Sequence, residues 1–172
     1  MTVRDSVNSP LQISELPVSN GVLGLTLCPG KHGDSLNGAP WARDLALDVA
    51  TIREWGATAV VTLLESTELT GLQVEPLPQA MIAAGLEWHH LPVKDVSPPD
   101  QVFETRWGYA GAQLRERLRR GERVLVHCRG GLGRAGSVAA RRVSHWPAQP
   151  ARSTPRTTRK WRGTSEARCE GN

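Results

Sequence analysis

A cysteine and an arginine stand at the two ends of a short glycine-rich stretch, His127-Cys128-Arg129-Gly130-Gly131-Leu132-Gly133-Arg134. The apolar run at 124–126 predicts a buried strand before it, and residues 135–142 predict the first turns of a helix after it. We therefore expect a loop between a strand end and a helix N-terminus, where unpaired N–H groups stabilise a thiolate or a phosphate dianion. Glycines let successive N–H groups turn inward around such an anion.

Each end of this loop has chemistry that suits a phosphate ester. A thiolate at Cys128 would be a nucleophile for phosphorus, releasing an alcohol and leaving a phosphocysteine. Arg134 carries a permanent charge on a planar fork that can hold two phosphoryl oxygens into the transition state. The Arg129 side chain is expected to project outward, toward substrate or solvent. The residues expected to bind the phosphate are Arg129, Gly130, Gly131, Leu132, Gly133 and Arg134.

The loop resembles that of a known family. Cys128, five intervening residues and Arg134, preceded by His127, are similar to the active-site loop of the cysteine-dependent protein-tyrosine and dual-specificity phosphatases. This version most resembles the kinase-associated (cyclin-dependent kinase) dual-specificity subgroup. Segments 22–31, 41–64 and 89–95 look similar in the same order, so the resemblance runs from about Gly21 to Arg142 and then stops. It implies a metal-independent phosphatase without cofactors that hydrolyses phosphotyrosine, and phosphoserine or phosphothreonine as well.

The resemblance also implies an aspartate, on a loop before the cysteine, that protonates the leaving oxygen. Asp95 fits best, because it lies in a proline-rich break between a strand-like run and a helix. Asp100 is the alternative, although it stands where the N-cap of that helix belongs. The same carboxylate would then activate water to hydrolyse the phosphocysteine. His127 receives a supporting role from the resemblance, orienting the loop by hydrogen bonding.

One position departs from the family pattern. The residue after the loop arginine, usually Ser or Thr in the family, is Ala135. The missing hydroxyl would assist release of the thiolate, so we expect the second step to slow more than the first. Ser137 would point elsewhere on a helix and is not expected to replace it. The alternative function is therefore a phosphate-recognising protein with little or no turnover, a pseudophosphatase or a truncated product.

The glycines also satisfy the Gly-x-Gly-x-x-Gly pattern of a dinucleotide-binding turn over residues 131–136. Such a site requires an acidic residue about twenty positions further on, and residues 153–159 contain none. A Walker loop is excluded because no Lys-Ser or Lys-Thr pair follows Gly136. Sulfurtransferases use a loop cysteine too, but with fewer residues between the loop ends, so loop size favours phosphate over a persulfide.

Strand-like and helix-like segments alternate along the 172 residues, which predicts an α/β fold. We expect a mostly parallel central sheet flanked by helices, as in protein-tyrosine phosphatases, with the loop at the carboxyl end of a central strand. A phosphatase-like domain is expected over 21–143, after an N-terminal arm with an early strand over 1–20. The other predicted strands are 21–27, 59–64, 86–91 and 124–126, and the predicted helices are 41–55, 79–84 and 101–120, with an irregular connection over 65–77.

The last segment, 144–172, has a different composition. It has no Ile, Leu, Val, Met, Phe or Tyr, and its arginines alternate with Pro, Thr and Ser. Such a segment cannot build a core, so we interpret it as a disordered basic tail or an out-of-frame product, and expect the C-terminal helices of the fold to be missing. The net charge of +4 comes from this end, because 8 basic and 2 acidic residues lie from Arg141 onward. The body is slightly acidic, which does not favour a nucleic-acid partner.

Cysteine spacing and hydropathy bear on compartment and cofactors. Cysteines 28, 128 and 169 lie far apart, which disfavours a zinc site and indicates a reducing compartment, so a cytoplasmic location is expected. No run of about eighteen apolar residues predicts a membrane span, and the first residues lack the pattern of a secretory signal. The expected partner is a phosphorylated protein or a small phosphate ester, and the sequence leaves the oligomeric state open.

Overall fold

The computed structural model describes residues 2–35 and 38–144. Its strands are β1 (Ser14–Val18), β2 (Gly21–Thr26), β3 (His32–Gly33), β4 (Trp41–Ala42), β5 (Ala57–Thr62), β6 (Glu87–His90) and β7 (Arg123–His127). Its helices are α1 (Leu45–Glu54), α2 (Ser66–Gly71), α3 (Leu77–Ala83), α4 (Gln101–Arg119) and α5 (Gly133–Ser144).

Five of the strands form one sheet in the order β1-β2-β7-β5-β6. β1 runs antiparallel to β2, and the remaining neighbours are parallel to each other. β3 and β4 make a separate two-stranded antiparallel sheet. The predicted α/β class with a mostly parallel central sheet is therefore confirmed.

The helices cover both faces of the sheet. Successive residues of the central strands point to opposite faces, so Val124 and Val126 belong to one apolar cluster and Leu125 to the other. α4 and α5 contribute to the first cluster, and α1 and α3 contribute to the second. A strand buried on both faces has a continuous apolar run instead of an alternating pattern, as parallel sheets require.

The central parallel strands end level with one another. His127, the last residue of β7, is in register with Thr26 of β2 on one side and Thr62 of β5 on the other. Because the carboxyl ends of parallel strands meet at one edge of the sheet, the loops that follow them come together there. This edge holds the glycine-rich loop.

The helix predicted over 41–55 begins later than expected. Asp44 is its N-cap, and the Asp44 side chain accepts a hydrogen bond from the Leu47 N–H at 3.0 Å. The residues before the cap form β4, which pairs with β3. The predicted start at residue 41 is therefore wrong, because the local apolar pattern does not show the pairing with a distant strand.

The connection predicted to be irregular over 65–77 contains α2. A capping box closes its N-terminus, with the carboxylates of Glu65 and Glu68 each accepting a hydrogen bond from the other residue's backbone N–H. The prediction of an irregular connection is therefore wrong over Ser66–Gly71. A helix this short has too few turns for an apolar repeat to reveal it.

The sequence also predicts how the two ends of the chain are organised. The predicted N-terminal arm packs on the domain where the structure describes it, since the Arg4 N–H donates to the Pro40 carbonyl at 2.9 Å and β1 joins the main sheet. At the other end, the described part stops with α5. The predictions of a disordered or out-of-frame segment, and of missing C-terminal helices, concern residues beyond 144 and lie outside the described residues.

Candidate active site

The glycine-rich loop lies at the carboxyl end of β7, the middle strand of the sheet, and leads directly into α5. The segment that follows β2 forms hydrogen bonds with this loop. The Arg129 carbonyl accepts hydrogen bonds from the Cys28 N–H at 3.4 Å and from Lys31 Nζ at 3.1 Å. The loop is thus fixed to a neighbouring strand, as expected for a preformed anion site.

The Cys128 sulfur lies inside the curve of this loop. Cys128 is buried, and the Gly131 N–H donates a hydrogen bond to its Sγ at 3.2 Å. Gly131 has a φ of +82°, and a Cβ there would lie 2.6 Å from the Thr26 carbonyl carbon. Only glycine fits both the left-handed backbone and the close approach. The N–H that faces the sulfur therefore depends on a glycine at this position.

Arg134 projects from the first turn of α5 and is held by three hydrogen bonds. Its Nη1 and Nη2 donate to the two carboxylate oxygens of Glu68 at 2.7 and 2.8 Å. Nη1 also donates to the Val93 carbonyl at 2.9 Å. The Glu68 carboxylate raises the pKa of Arg134, so the guanidinium stays charged. A buried charge of this kind requires such partners.

Glu68 is a residue of this site that the sequence interpretation missed. It lies in α2, a segment predicted to be irregular, immediately beyond the carboxyl end of β5. Burial alone would raise the pKa of Glu68, but hydrogen bonds from Arg134 and from the Glu65 N–H outweigh it and lower the pKa. The available signal was a pair of carboxylates three residues apart, directly after a buried strand.

The two candidate acids have different positions. Asp95 lies beside Arg134, with its Oδ1 3.4 Å from Nε, and its side chain is 58% exposed. Asp100 instead caps α4, where its side chain accepts a hydrogen bond from the Phe103 N–H at 2.8 Å. Asp95 is therefore the aspartate next to the loop, and Asp100 has the structural role that its position predicts.

A cleft of about 500 Å³ opens over the loop. It brings together the predicted nucleophile, arginine and aspartate with most of the predicted phosphate-binding residues. Its walls also include residues from β3, from β4 and from the connection between α2 and α3. The sequence interpretation did not assign these residues to the site. The cleft is lined by Lys31, His32, Asp34, Ser35, Trp41, Leu72, Asp95, Cys128, Arg129, Gly130, Leu132, Gly133 and Arg134.

His127 lies behind the loop and is fully buried. The Trp88 Nε1–H donates to Thr62 Oγ1 at 2.9 Å, and the same oxygen lies 2.7 Å from His127 Nε2. A hydroxyl that accepts from Trp88 can donate its own proton to Nε2, which is consistent with a neutral ring. Burial lowers the pKa of His127 to about 3, so it is uncharged near neutral pH. This position agrees with the predicted supporting role behind the loop.

Ala135 follows the loop arginine and has no exposed surface. The nearest hydroxyl along the helix is that of Ser137, which donates to the Gly133 carbonyl at 3.0 Å. Ser137 therefore forms a bond within α5, and the expectation that it does not replace the missing hydroxyl agrees with its position. Arg129 is exposed and lines the cleft, as expected for a side chain that projects outward.

The other described cysteine has a different environment. Burial raises the pKa of the Cys28 thiol to about 12, so that thiol stays protonated. Over residues 2–35 and 38–144 no group of three or more His, Cys, Asp or Glu side chains could hold a metal ion. Within those same residues, no helix has the length and apolar character needed to cross a bilayer.

The family model described as "Swiss Army Knife protein, DSP-PTPase phosphatase domain" matches residues 43–169. The match begins just before α1 and includes α2 and the whole glycine-rich loop. It also includes residues 91–100, the loop between β6 and α4 that carries Asp95, which we call the acid loop. It continues past Arg142, where the resemblance read from individual residues was expected to stop.

Individual relatives agree with this match. The chain is 30% identical over 140 residues to cyclin-dependent kinase inhibitor 3 of Rattus norvegicus, covering 79% of this chain and 62% of the relative. It is 27% identical over 141 residues to the Homo sapiens protein of the same name, covering 77% of this chain and 60% of that protein. The chain thus spans about three fifths of the length of these curated relatives.

A solved structure shows the same architecture. It is kinase associated phosphatase with a substitution of its catalytic-site cysteine to serine. The TM-score is 0.69 at 25% sequence identity, and the similarity covers 79% of this chain and 74% of that chain.

Proposed function

Because the chain belongs to the DSP-PTPase phosphatase domain family, we propose that it hydrolyses phosphotyrosine, with phosphoserine and phosphothreonine as further substrates, through a phosphocysteine intermediate. The observation that carries the proposal is the meeting of Cys128, Arg134 and Asp95 in one cleft. These three side chains have the chemistry of a nucleophile, an anion-binding cation and a proton donor.

The first step transfers the phosphoryl group to the enzyme. The Cys128 sulfur attacks phosphorus, and the S–P bond forms as the bond from phosphorus to the leaving oxygen breaks. Asp95 gives its proton to that oxygen, which leaves as an alcohol. The Gly131 N–H faces the sulfur, and it stabilises the negative charge of the thiolate before attack. No metal or cofactor takes part in this scheme.

The second step returns the enzyme to its starting state. Asp95, now a carboxylate, accepts a proton from water, and the water oxygen attacks the phosphocysteine. The S–P bond breaks, inorganic phosphate leaves, and the sulfur recovers its electron pair as a thiolate. Arg134 binds two phosphoryl oxygens through both steps.

The proposed substrate is a phosphorylated protein, and small phosphate esters would react as simpler analogues. Relatives named as a cyclin-dependent kinase inhibitor and a kinase associated phosphatase support a protein kinase as one such substrate. The chemistry requires a free thiol, and the two described cysteines are unpaired. We therefore include a cytoplasmic, reducing location in the proposal.

One observation favours a second function. The buried Ala135 supplies no hydroxyl for thiolate release, and the Ser137 hydroxyl is bonded to a backbone carbonyl. A chain that binds phosphorylated partners in the same cleft, with little turnover, would use every phosphate contact without the second step. The two functions differ in whether Cys128 is needed for product formation.

The test is hydrolysis of p-nitrophenyl phosphate by the full chain beside Cys128→Ser, with Cys28→Ser as the matched control. We expect Cys128→Ser to lower kcat at least about 10³-fold, since a serine hydroxyl is a far weaker nucleophile. Cys28→Ser should retain most of the activity, because that thiol is protonated and lies outside the cleft lining. Equal hydrolysis by the wild type and Cys128→Ser would reject the phosphatase. Phosphopeptide binding without turnover would favour the second function.

A further inference from the structure

Lys31 is buried in the wall of the cleft, beside the glycine-rich loop. It lines the cleft, although only 7% of its surface is exposed. The Arg43 N–H donates to the Lys31 carbonyl at 3.1 Å, next to the residues that pair β3 with β4. These backbone hydrogen bonds fix the point from which the Lys31 side chain reaches the loop.

The Lys31 ammonium has no carboxylate partner within residues 2–35 and 38–144. Its Nζ donates to the Arg129 carbonyl at 3.1 Å and lies 4.4 Å from the centroid of the Trp41 ring. Lysine is almost never buried without a partner, because a desolvated charge is costly. That cost also lowers the pKa of Lys31. An anion bound beside the ammonium would offset it.

Two further cations near Lys31 also lack a carboxylate partner. The exposed Arg129 side chain lines the cleft, and its guanidinium makes no ion pair among the described residues. Arg4 lies over the Trp41 ring, 3.8 Å from its centroid, and donates to the Ala39 carbonyl. Asp34 also lines the cleft, but it makes no ion pair in the part of the chain that the structure describes. This wall therefore carries an excess of positive charge.

The Lys31 ammonium lies beside the phosphate nest and not within it. The Arg129 carbonyl accepts from Lys31 Nζ and from the Cys28 N–H, so it faces the segment that follows β2. The carbonyl and the N–H of one trans peptide unit point in opposite directions. The Gly130 N–H of the same peptide unit therefore faces the other way. An anion bound by Lys31 would be a different group from a phosphate held by the N–H groups of the loop.

We propose that Lys31, with the neighbouring Arg129 side chain, binds a second anionic group of the substrate, carried by a residue close to the phosphorylated one. This inference rests on the proposed function, because it names the class of phosphorylated segment that the same cleft prefers. An ammonium and a guanidinium are charge-assisted donors, and their matching partner is an oxyanion. The preferred ligand is a phosphopeptide with an acidic or a second phosphorylated residue beside the first.

The test measures peptide binding by Cys128→Ser, which removes the nucleophile and keeps the cleft. Each peptide carries one phosphotyrosine among alanines, and glutamate or phosphoserine replaces a single alanine at each nearby position on either side. Dissociation constants are measured by fluorescence anisotropy. At the position that reaches Lys31, we expect the added anion to tighten binding about tenfold, as for one charge-assisted hydrogen bond. A larger gain from phosphoserine than from glutamate would identify phosphate as the preferred second anion.

Lys31→Met removes the charge and keeps the length of the side chain. Added to Cys128→Ser, it should reduce the gain from the second anion to less than about twofold. Lys94→Met is the matched control and should keep the gain, because Lys94 is exposed and lies outside the cleft lining. A merely structural role of Lys31 would weaken all the peptides equally and leave the gain unchanged, since the gain is a ratio within one variant.

The absence of a gain at every position, or an equal gain with and without the Lys31 charge, would overturn the inference. Where Lys31→Met does not fold, Arg129→Gln replaces it. The Arg129 side chain is exposed, so its loss should reduce the gain only about threefold. An unchanged gain in Arg129→Gln would then overturn the inference.

The two proposals can fail separately. A gain that depends on Lys31, in a chain without Cys128-dependent hydrolysis, would support the second anion site and reject the phosphatase. Cys128-dependent hydrolysis, with equal binding of all the peptides, would support the phosphatase and reject the second anion site.

Discussion

The glycine-rich loop and the acid loop meet over one cleft but are held in different ways. In the first, the sulfur of Cys128 accepts a backbone hydrogen bond and the Arg129 carbonyl accepts two hydrogen bonds. In the second, the Asp95 side chain is 58% exposed, and its tie to the rest of the site is a 3.4 Å contact with Arg134. The next residue, Val96, is 98% exposed and has a φ of +52°.

This difference between the two loops matches the different requirements of anion binding and proton transfer. Anion binding benefits from donors that are already oriented, because they do not need to reorganise when charge arrives. Proton transfer requires the acid to reach a leaving oxygen that enters with the substrate, and apo contacts of such groups are often long. A β-branched residue at positive φ is strained, so the acid loop holds backbone strain directly beside Asp95. We infer a rigid phosphate site and an acid loop that adjusts to each substrate.

The largest effect is expected from Arg134→Lys, a substitution in the rigid phosphate site. Lysine keeps the charge but cannot bind Glu68 and a phosphoryl group through one planar fork. We expect kcat/KM for p-nitrophenyl phosphate to fall about 10²–10³-fold, as for removal of a transition-state donor. Arg117→Lys is the control, since Arg117 makes ion pairs with Glu87 and Glu122 away from the cleft. A comparable loss in both variants would mean that the effect is general destabilisation.

The proposed role of Asp95 as proton donor is tested by Asp95→Asn, which removes the carboxyl proton without changing the shape of the side chain. We expect kcat to fall about 10²-fold for phenyl phosphate, whose leaving group needs protonation, and much less for p-nitrophenyl phosphate. Asp100→Ala should instead cost about 1 kcal/mol of stability, as loss of an N-cap does, with no dependence on the leaving group. The reverse result would assign the acid to Asp100 and remove the distinction between the loops.

The buried His127 behind the glycine-rich loop predicts that the stability of the fold depends on pH. The pKa of His127 is lowered to about 3 in the folded chain by burial, whereas an unfolded histidine titrates near 6.5. Between these two pKa values only the unfolded chain binds a proton at His127. The free energy of unfolding is therefore highest above about pH 6.5 and falls as the pH decreases. The slope is at most about 1.4 kcal/mol per pH unit. Urea titrations from pH 4.5 to 7 should show it in the wild type and lose it in His127→Asn.

The smallest effect is expected from Ala135→Ser, which restores the hydroxyl usual in the family. If breakdown of the phosphocysteine is slow, the wild type should give a burst of p-nitrophenol followed by a slower phase. The added hydroxyl should raise the steady rate a few-fold, roughly 1 kcal/mol in the barrier, and shrink the burst. Rapid-mixing traces of both proteins decide this. A wild type without a burst would place the slow step at phosphoryl transfer, in the half of the reaction that needs Asp95.

Much of the site could be predicted because its signals are local. A buried strand, a glycine loop and a helix start follow one another over Val124 to Arg142, and this sequence of elements is what the structure contains. Asp95 could be singled out because the family resemblance implies an aspartate on a loop before the cysteine, and prolines mark such a loop around Asp95. The approach of Asp95 to Arg134 follows from the parallel strands, whose carboxyl ends meet at one edge.

What could not be predicted depends on contacts between distant segments. Glu68 contacts Arg134 across 66 positions of the chain, and its helix is too short to have an apolar repeat. Trp41 lines the cleft because β4 pairs with β3, although its neighbours favour a helix. In each case a tertiary contact outweighs the local pattern, which is why the missed residues lie outside the glycine-rich loop.

The position of β7 has a consequence for how the chain folds. It is the last strand along the described residues, yet it lies between β2 and β5, which it separates in the sheet. A growing chain that has not yet reached Arg123 therefore exposes two open strand edges and an unfilled core. Pairings over about 100 residues close slowly, and such edges promote aggregation. Cys128 follows directly on the strand that completes the sheet, so the loop that carries it can form only when the domain has folded.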